Sequence, residues 1–407
     1  MAGVNRPLRC AIALVSAAAS AGLIVPSASA RAEADGSWVP LAPGVAYREL
    51  TVRTPHGDAR VYAVRADLRQ PGVRADLLFP GAVADRAPLT RLAGSRGAVA
   101  AVNGDFFDIS EEQHPGVEAT GAPSGPAVYR GRALKAAVPE AQRFGWRPPP
   151  GDDDRDVLGV GVDGVARTDR LELHGRVWTP DGSWPLGGLN QYALPVGSIG
   201  AFTADWGEVS RARAVCGTDE SRAAPCTTDT WEVTVRHNRV VSVSPVPGSG
   251  PIPEDSTVLL GREAGARALA GLPVGTPVAV DYHLAPTRPV PLDFALGAYP
   301  VRRGGRPLPE LDTTVVEPRS AVGLAGGGRV LTLLATDGRE GTSTGLTVSE
   351  LAQVIGDLGC PDGVYLDGGA SSTLAARDPD TGELTVRNHL DHGQERRIPN
   401  GIGIFAG

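Results

Sequence analysis

Short apolar runs that end in glycine, aspartate or asparagine recur along the chain. Val364-Tyr365-Leu366, for example, is followed at once by Asp367-Gly368-Gly369. Runs rich in β-branched and aromatic residues are typical of buried strands, and the glycines after them indicate turns. Two other runs share this design: Ala98–Val102 before Asn103-Gly104-Asp105, and Arg329–Thr336 before Asp337-Gly338-Arg339. The pattern therefore predicts three buried strands that each carry an acidic side chain near one end.

The clearest helix precedes the last of these strands. Thr347 and Glu350 have the spacing of a capping box, and Gly359 suits a helix end. Four apolar residues between them fall on one helical face: Leu351, Val354, Ile355 and Leu358. The segment thus predicts a strand–helix–strand unit.

Further elements follow from the same periodicities. The sequence predicts strands over Arg60–Leu68 and Ile402–Phe405, a strand pair over Asp156–Arg170, helices over Leu89–Ala93 and Glu263–Ala270, and a hairpin of Trp231–Arg236 with Arg239–Val243. We therefore expect an α+β fold, with a mixed β-sheet core, packed helices and a β-rich insert at about 208–285.

The N-terminus has the pattern of a signal peptide. Arg6 and Arg9 precede an apolar, alanine-rich run, and Ala28-Ser29-Ala30 has the small-x-small form of a cleavage site. We expect residues 1–30 to be the signal peptide of a secreted, extracellular protein that keeps no stable membrane anchor after cleavage. Residues 31–59 are then an N-terminal lead-in, and 60–407 a single catalytic domain.

Charge and cysteine content narrow the picture. The 407 residues carry a formal net charge of −7, so the chain has no general basic surface and we expect no nucleic-acid partner. Cys216 and Cys226 bracket a short polar loop, and an oxidising compartment favours a disulfide between them. His114 lies in a long loop rich in glycine and proline, where a solvated side chain is expected.

The strand ends carry the residue types that hydrolysis of a phosphorylated sugar needs. If neighbouring strands bring these ends together, the three aspartates line one cleft, and we predict Asp367, Asp337 and Asp105 as the catalytic carboxylates, with Asp367 principal. Arginine suits phosphate because its planar fork donates two hydrogen bonds at once, and main-chain amides at a glycine turn can bind an anion. The predicted substrate-binding residues are Asn103, Gly104, Arg319, Gly338, Arg339, Gly368, Gly369, Ser371 and Ser372. The structural alternative is a set of tight turns, with the two arginines as surface ion-pair partners.

Four motifs, in this order, resemble the phosphodiester glycosidase family: Asn103-Gly104-Asp105-Phe106-Phe107, Pro318–Gly323, Asp337-Gly338-Arg339 and Leu366–Ser372. The resemblance extends over about 60–407 and includes the ending Arg396–Asn400. It implies hydrolysis of a sugar-1-phosphodiester. Asp105 and Ala370 stand where the family's animal enzyme has glycine. The extra carboxylate at Asp105 adds a catalytic group, binds a cation or signals another substrate.

We therefore expect an exported hydrolase that cleaves a glycosyl phosphodiester in the bacterial cell envelope or in extracellular glycans such as exopolysaccharide. The sequence identifies no certain cofactor and leaves a divalent cation open. Two alternatives stay open. One is a metal-dependent phosphodiesterase in which the three aspartates hold a divalent cation that activates water. The other is a non-catalytic envelope protein that binds glycan phosphates.

Overall fold

The computed structural model describes residues 1–3, 31–32, 36–145, 147–337 and 343–407. Most of the predicted signal peptide therefore lies outside the described residues, as do Gly338 and Arg339. No helix in the described part of the chain is both long and apolar enough to span a bilayer.

Strands dominate the described chain, because its apolar runs are short and separated by glycine and proline. In chain order, the first strands are β1 (Arg31–Ala32), β2 (Val39–Ala42), β3 (Val45–Thr54), β4 (Gly57–Asp67), β5 (Arg74–Leu78), β6 (Ala100–Asn103), β7 (Ala127–Tyr129), β8 (Arg132–Lys135), β9 (Asp156–Gly161), β10 (Ala166–Thr179), β11 (Gly182–Pro185), β12 (Gly188–Leu189) and β13 (Ile199–Phe202). The remaining strands are β14 (Thr230–Arg236), β15 (Arg239–Ser244), β16 (Ser256–Arg262), β17 (Ala279–Pro286), β18 (Leu292–Gly297), β19 (Tyr299–Arg303), β20 (Arg306–Pro307), β21 (Ser320–Ala325), β22 (Val330–Thr336), β23 (Asp362–Tyr365), β24 (Leu374–Arg377), β25 (Leu384–Val386) and β26 (Gly401–Phe405). The α-helices are α1 (Leu89–Arg96), α2 (Ala264–Ala270) and α3 (Val348–Asp357).

The largest sheet holds three of the motif-bearing segments side by side. Its order is β1-β3-β4-β22-β21-β23-β19-β20, and β2 pairs with β3. Strands β22 and β23 are each antiparallel to β21, so they run parallel to each other with β21 between them. The C-terminal ends of β22 and β23 and the N-terminal end of β21 therefore meet at one edge of the sheet. Strands β2 and β3 show that the predicted lead-in at 31–59 contributes to this same sheet.

Helix α3 connects β22 to β23 and covers one face of the large sheet. Its N-terminus has the predicted capping box: the Thr347 hydroxyl accepts from the Glu350 backbone N–H, and the Glu350 carboxylate accepts from the Thr347 N–H. The four residues predicted for its apolar face are buried, packed with Ala321 and Leu334. Each side chain buried in this way stabilises the fold by roughly 1.5–3 kcal/mol.

A second sheet packs on the opposite face, with β6 at its centre. Its order is β25-β24-β6-β26-β5. Successive strand residues point to opposite faces, so Val322 and Val364 of the large sheet turn away from α3 and pack with Val102 and Ile402 of the second sheet. This sheet-on-sheet layer is the main core, and it brings the end of β6 against the motif-bearing edge.

The remaining strands form two sheets beside this core. One has the order β11-β10-β9-β18-β7-β8, with β17 paired to β10, and the other has the order β12-β13-β16-β14-β15. The predicted β-rich insert at 208–285 thus contributes to both, and its hairpin is β14 with β15. Cys216 and Cys226 form a disulfide in the loop before β14. The predicted α+β class, with a mixed β-sheet core and packed helices, is confirmed.

Candidate active site

One buried amide joins the strand ends at the motif-bearing edge. The Asn103 side chain, at the end of β6, donates from Nδ2 to the backbone oxygen of Asp367 at 2.7 Å. Its Oδ1 accepts from the Ser320 hydroxyl at 2.6 Å and from the Thr373 N–H at 3.1 Å. Asn103 is fully buried, so the structure places this predicted substrate-binding residue beneath the site, where it positions the chain around Asp367.

Gly104 brings the backbone of β6 against the segment that carries Asp367. Its carbonyl accepts from the Asp367 N–H at 2.9 Å, and its own N–H donates to the Asn400 carbonyl. A Cβ at position 104 would lie 2.1 Å from Asn400 Oδ1, so a side chain cannot be accommodated without displacing the turn. Gly104 acts through this close approach of backbones rather than through a ligand.

Asp367 lines a small cavity at this edge, with a volume of about 210 Å³. Phe106, Phe107 and Phe144 contribute apolar surface to the cavity. Its other lining residues are Ile109, Gly145, Glu317, Gly368, Gly369, Ala370, Asp391 and Arg396. The cavity thus combines apolar rings with three carboxyl groups and one guanidinium.

Ser371 links the carboxyl and the guanidinium of this cavity. Arg396 Nη1 donates to Ser371 Oγ at 3.3 Å, and Ser371 and Arg396 both interact with the Asp367 carboxyl. Burial raises the pKa of Asp367 to about 7, while the Ser371 hydrogen bond and the Arg396 charge oppose the rise. A carboxyl with a pKa near neutrality exchanges protons readily, as general acid–base catalysis requires.

Backbone N–H groups of the glycine turn after Asp367 are hydrogen-bonded within the protein. The 3-10 turn Gly369–Ser371 starts with Gly369 at φ 58°, a conformation that favours glycine. The N–H groups of Gly369, Ser371 and Ser372 donate to the carbonyls of Pro318, Gly368 and Gly369, respectively. These three amides therefore do not form the anion site predicted at this turn, and the positive charge in the cavity comes from Arg396.

Asp105 points away from the cavity, into the core. Its Oδ2 accepts from the Gly125 N–H at 2.6 Å, and its own N–H donates to Asn400 Oδ1. Burial raises the pKa of Asp105 to about 6, against the opposing charge of the buried Lys135 ammonium. The charge at Asp105 in turn raises the pKa of Asp367. The structure places Asp105 behind the reacting face rather than on it.

Asp337 lies at the same sheet edge but is taken up by other contacts. It follows β22, two strands from the end of β23, which corresponds to about 10 Å at the usual strand spacing. Its oxygens accept from the Tyr62 hydroxyl at 2.9 Å and from the His389 N–H. Asp337 thereby ties the loop that contains Asp391 to the sheet, and it does not line the cavity of Asp367.

The expectation that three aspartates surround one ligand is therefore corrected. Among the described residues, the one group of three potential metal ligands within 4.8 Å of one another is His114, Cys216 and Cys226, whose cysteines form the disulfide. The three aspartates, all of which are described, are not such a group. The structure thus gives no support to a cation held by Asp105, Asp337 and Asp367.

Arg319 is buried, and its guanidinium donates hydrogen bonds to backbone carbonyls. Its Nε donates to the Leu346 carbonyl at 3.0 Å, and its Nη2 donates to the Val315 carbonyl at 2.8 Å. The side chain borders a second cavity rather than that of Asp367. The predicted partners Gly338 and Arg339 lie outside the described residues.

Several cavity residues were not among those predicted. Arg396 belongs to the Arg396–Asn400 ending of the family resemblance, and Glu317 directly precedes the Pro318–Gly323 motif, so both had a signal in the sequence. Asp391 sits in a loop without a motif, and its position follows only from the fold.

Comparisons with known proteins agree with this architecture. The phosphodiester glycosidase family model matches residues 229–405. A hypothetical protein from Synechocystis superposes with a TM-score of 0.67 at 21% identity, covering 90% of this chain and 62% of that one. A protein from Burkholderia pseudomallei K96243 superposes with a TM-score of 0.63 at 20% identity, covering 85% of this chain and 74% of that one. Likeness at these identities shows a shared fold.

The zebrafish N-acetylglucosamine-1-phosphodiester alpha-N-acetylglucosaminidase catalytic domain matches more remotely. Its TM-score is 0.44 at 13% identity, over 92% of this chain and 87% of that domain. No curated protein matches the chain. The present chain spans 62% of the length of the Synechocystis protein. The resemblance seen in the motifs is thus confirmed over residues 229–405, where the phosphodiester glycosidase family model matches the chain.

Proposed function

We propose that the protein is an exported hydrolase that cleaves a sugar-1-phosphodiester, with Asp367 as the reacting carboxylate and Arg396 as the phosphate ligand. One observation carries the proposal: the Asp367 carboxyl and the Arg396 guanidinium line the same cavity, and Arg396 donates to Ser371. The family match supports hydrolase activity and a glycan-phosphate substrate at the family level.

The reaction proposed is cleavage between the anomeric carbon and its phosphate-bound oxygen. The phosphate departs as a monoester, which is already a stable anion, so its protonation contributes less than in an ordinary glycoside. Asp367 in its ionised form then acts at the opposite side of the sugar, either by accepting a proton from water or by attacking the anomeric carbon. Glu317 and Asp391 are the second carboxyl groups available in the cavity.

The cavity's surface supports a sugar with one phosphate. Phe106, Phe107 and Phe144 give it an apolar wall, and its Arg396 guanidinium matches the planar oxygen pair of a phosphate. A volume of about 210 Å³ is below the roughly 300–1,000 Å³ of typical ligand sites. The proposal is therefore recognition of a single sugar residue at this point, with the rest of the substrate outside.

Export rests on the N-terminal sequence pattern. Arg6 and Arg9, the apolar run and Ala28-Ser29-Ala30 support a signal peptide of residues 1–30. The Cys216–Cys226 disulfide suits an oxidising compartment outside the cytoplasm. Together they support a substrate in the cell envelope or in extracellular glycans.

The test is a product assay on a panel of sugar-1-phosphodiesters, comparing the native protein with Asp367→Asn. Loss of a positioned acid–base group lowers the rate by about 10²–10⁴-fold, and we expect a loss of this size in a variant that stays folded. Asp380→Asn is the matched control, because Asp380 is exposed in the β24–β25 turn. Equal turnover by the native protein and Asp367→Asn would remove Asp367 from the chemistry.

Two further readouts separate the proposed reaction from its alternatives. In ¹⁸O-labelled water the label should enter the sugar, whereas label in the phosphate would indicate a phosphodiesterase. Chelation should leave the activity unchanged, and its loss would favour the metal-dependent alternative. Binding of the whole panel without turnover would indicate a non-catalytic glycan-phosphate binder.

A further inference from the structure

A second cavity lies beside the candidate active site and has a different surface. Its volume is about 310 Å³. Its apolar lining includes Pro148, Pro149, Leu311, Val348 and Tyr365. These five side chains are buried. The second cavity is larger and less polar than that of Asp367.

Two chain segments connect the cavities. Tyr365 lines the second cavity and Asp367 the first, while Arg319 lines the second and Glu317 the first. Both segments are extended: the Leu366 N–H donates to the Ser320 carbonyl, and Glu317 pairs with Leu346 in a β-bridge. Two residues of extended chain span about 7 Å and direct both side chains to the same side. The two cavities are therefore neighbours on one face of the protein.

Several polar groups around the second cavity are bonded within the protein, and the exposed charged side chains in its lining are Arg147 and Glu310. The Asp312 carboxylate accepts from Thr314 and from the Val315 N–H. The Tyr365 hydroxyl lies beside the Arg143 guanidinium, and Arg319 donates to two backbone carbonyls. Apart from Arg147 and Glu310, the remaining surface is proline, leucine and valine with the ring of Tyr365, and burial of apolar groups there is favourable.

We propose that this cavity binds an aliphatic group carried on the far oxygen of the substrate's phosphate, so that the substrate is the phosphodiester of a sugar and a long-chain alcohol. The inference rests on the proposed function. It places the sugar against the phenylalanines of the first cavity, the phosphate at Arg396 and the alkyl chain over Val348 and Leu311. The two cavities are neighbours along the segment of Glu317 and Arg319, so one substrate can occupy both.

The experiment compares two substrates that differ only in the alcohol. For the sugar selected by the panel, kcat/KM is measured for the methyl and the decyl phosphodiesters with the native protein. We expect at least tenfold higher kcat/KM for the decyl ester. Val348→Phe fills the second cavity and should reduce this preference to less than threefold, with methyl-ester turnover changed less than twofold.

The matched control is Val290→Phe, because Val290 lines a different apolar cavity beside β17 and β18, away from Asp367. It should keep the decyl preference of the native protein. Thermal unfolding of both variants shows that each is folded. Equal kcat/KM for the two esters with the native protein would overturn the aliphatic subsite and leave the proposed function standing.

A binding measurement distinguishes failure of the subsite from failure of the proposed function. Calorimetric titration with decyl phosphate, below its micelle-forming concentration, requires no turnover. Binding to the native protein that is at least tenfold weaker in Val348→Phe supports the subsite. Absence of hydrolysis for both esters would count against the proposed function alone. Equal binding of decyl phosphate by the native protein and Val348→Phe would overturn the subsite itself.

Discussion

Asp105 and Asp367 lie back to back at the floor of the candidate active site. The Asp367 N–H donates to the carbonyl of Gly104, the residue before Asp105, at 2.9 Å. The Asp105 carboxylate turns the other way and accepts from the Gly125 N–H. Asp105 is buried and Asp367 is partly buried, and the charge of Asp105 raises the pKa of Asp367. Asp105 does not line the cavity, but its charge raises the pKa of Asp367, which does.

The first prediction concerns the pH profile of Asp105→Asn. Burial raises the pKa of Asp367 to about 7, and part of the rise comes from Asp105. If Asp367 reacts in its ionised form, activity rises with pH through about 7 and then levels off. Removing the negative charge at position 105 lowers the pKa of Asp367, so the acid limb of kcat/KM should move to lower pH.

The measurement is kcat/KM between pH 5 and 9 for the native protein and Asp105→Asn, with Asp380→Asn as the exposed control. A role of Asp105 as a directly reacting group would instead abolish the limb together with the activity. A folded Asp105→Asn variant with an unmoved limb would contradict the electrostatic coupling.

The second prediction concerns Arg396. Hydrogen bonds to charged groups contribute roughly 1.5–3 kcal/mol, and about 1.4 kcal/mol corresponds to tenfold in an equilibrium constant. Arg396→Ala should therefore lower kcat/KM by about 10- to 100-fold, mainly through KM. It should also move the acid limb upward, because the guanidinium lowers the pKa of Asp367. Steady-state kinetics over the same pH range measures both effects.

Arg397→Ala is the control for this variant. Arg397 is the adjacent arginine, exposed, and it donates to the Arg86 carbonyl away from the cavity. It should retain native kinetics. An equal rise in KM for both variants would mean that the effect is one of general surface charge rather than of a specific phosphate contact.

The third prediction concerns the start of α3. Thr347→Ala removes the hydroxyl that accepts from the Glu350 N–H and so breaks the capping box. Loss of an N-cap side chain costs about 1 kcal/mol in the free energy of unfolding. The melting temperature should fall while kcat/KM for the methyl phosphodiester stays native, since no residue of α3 lines the cavity of Asp367. Thr347→Ser keeps a hydroxyl and should restore most of the stability.

The fourth prediction concerns the disulfide. Closing a loop of this size contributes up to about 3 kcal/mol by restricting the unfolded chain. The double variant Cys216→Ser/Cys226→Ser should melt at lower temperature than the native protein. A reductant should lower the melting temperature of the native protein towards that of the variant and leave the variant unchanged. An unchanged melting temperature in both cases would show that the loop is held by other contacts.

His114 contacts the disulfide loop, and the sequence did not predict this contact. His114 was expected to be solvated in its loop, but it is buried: its ring bonds to Glu111 and to the carbonyl of Ala224, inside the disulfide loop. Ala224 is 110 residues away along the chain. Local composition identifies a loop, but it does not show what the loop packs against.

Secondary structure was the more predictable part. The capping box and apolar face of α3, the hairpin of β14 and β15, and the strands β6, β22 and β23 follow from patterns a few residues long. Their packing order was not available in that way. The sandwich of the large sheet on the β6 sheet arises from pairings between segments hundreds of residues apart.

The sequence predicted residue types at the candidate site, but it did not predict which way their side chains point. The end of β6 was found from the sequence, yet Asn400 fixes the turn so that Asp105 faces Gly125 instead of the cavity. The same edge brings in Arg396 and Asp391 from the C-terminal loops, which no strand pattern indicates. Which side chains of a turn face a ligand depends on these distant contacts.

The Asn103 amide has a consequence for how the domain can be divided. The family match begins at residue 229, but β6 lies between β24 and β26, and its Asn103 anchors the backbone of Asp367. A fragment from residue 229 onwards would leave β24 and β26 without the strand they share. The two parts of the polypeptide are interleaved, so the homologous region is not an autonomous folding unit. Truncation or recombination at that boundary would remove the backbone contacts beneath Asp367 in the candidate active site.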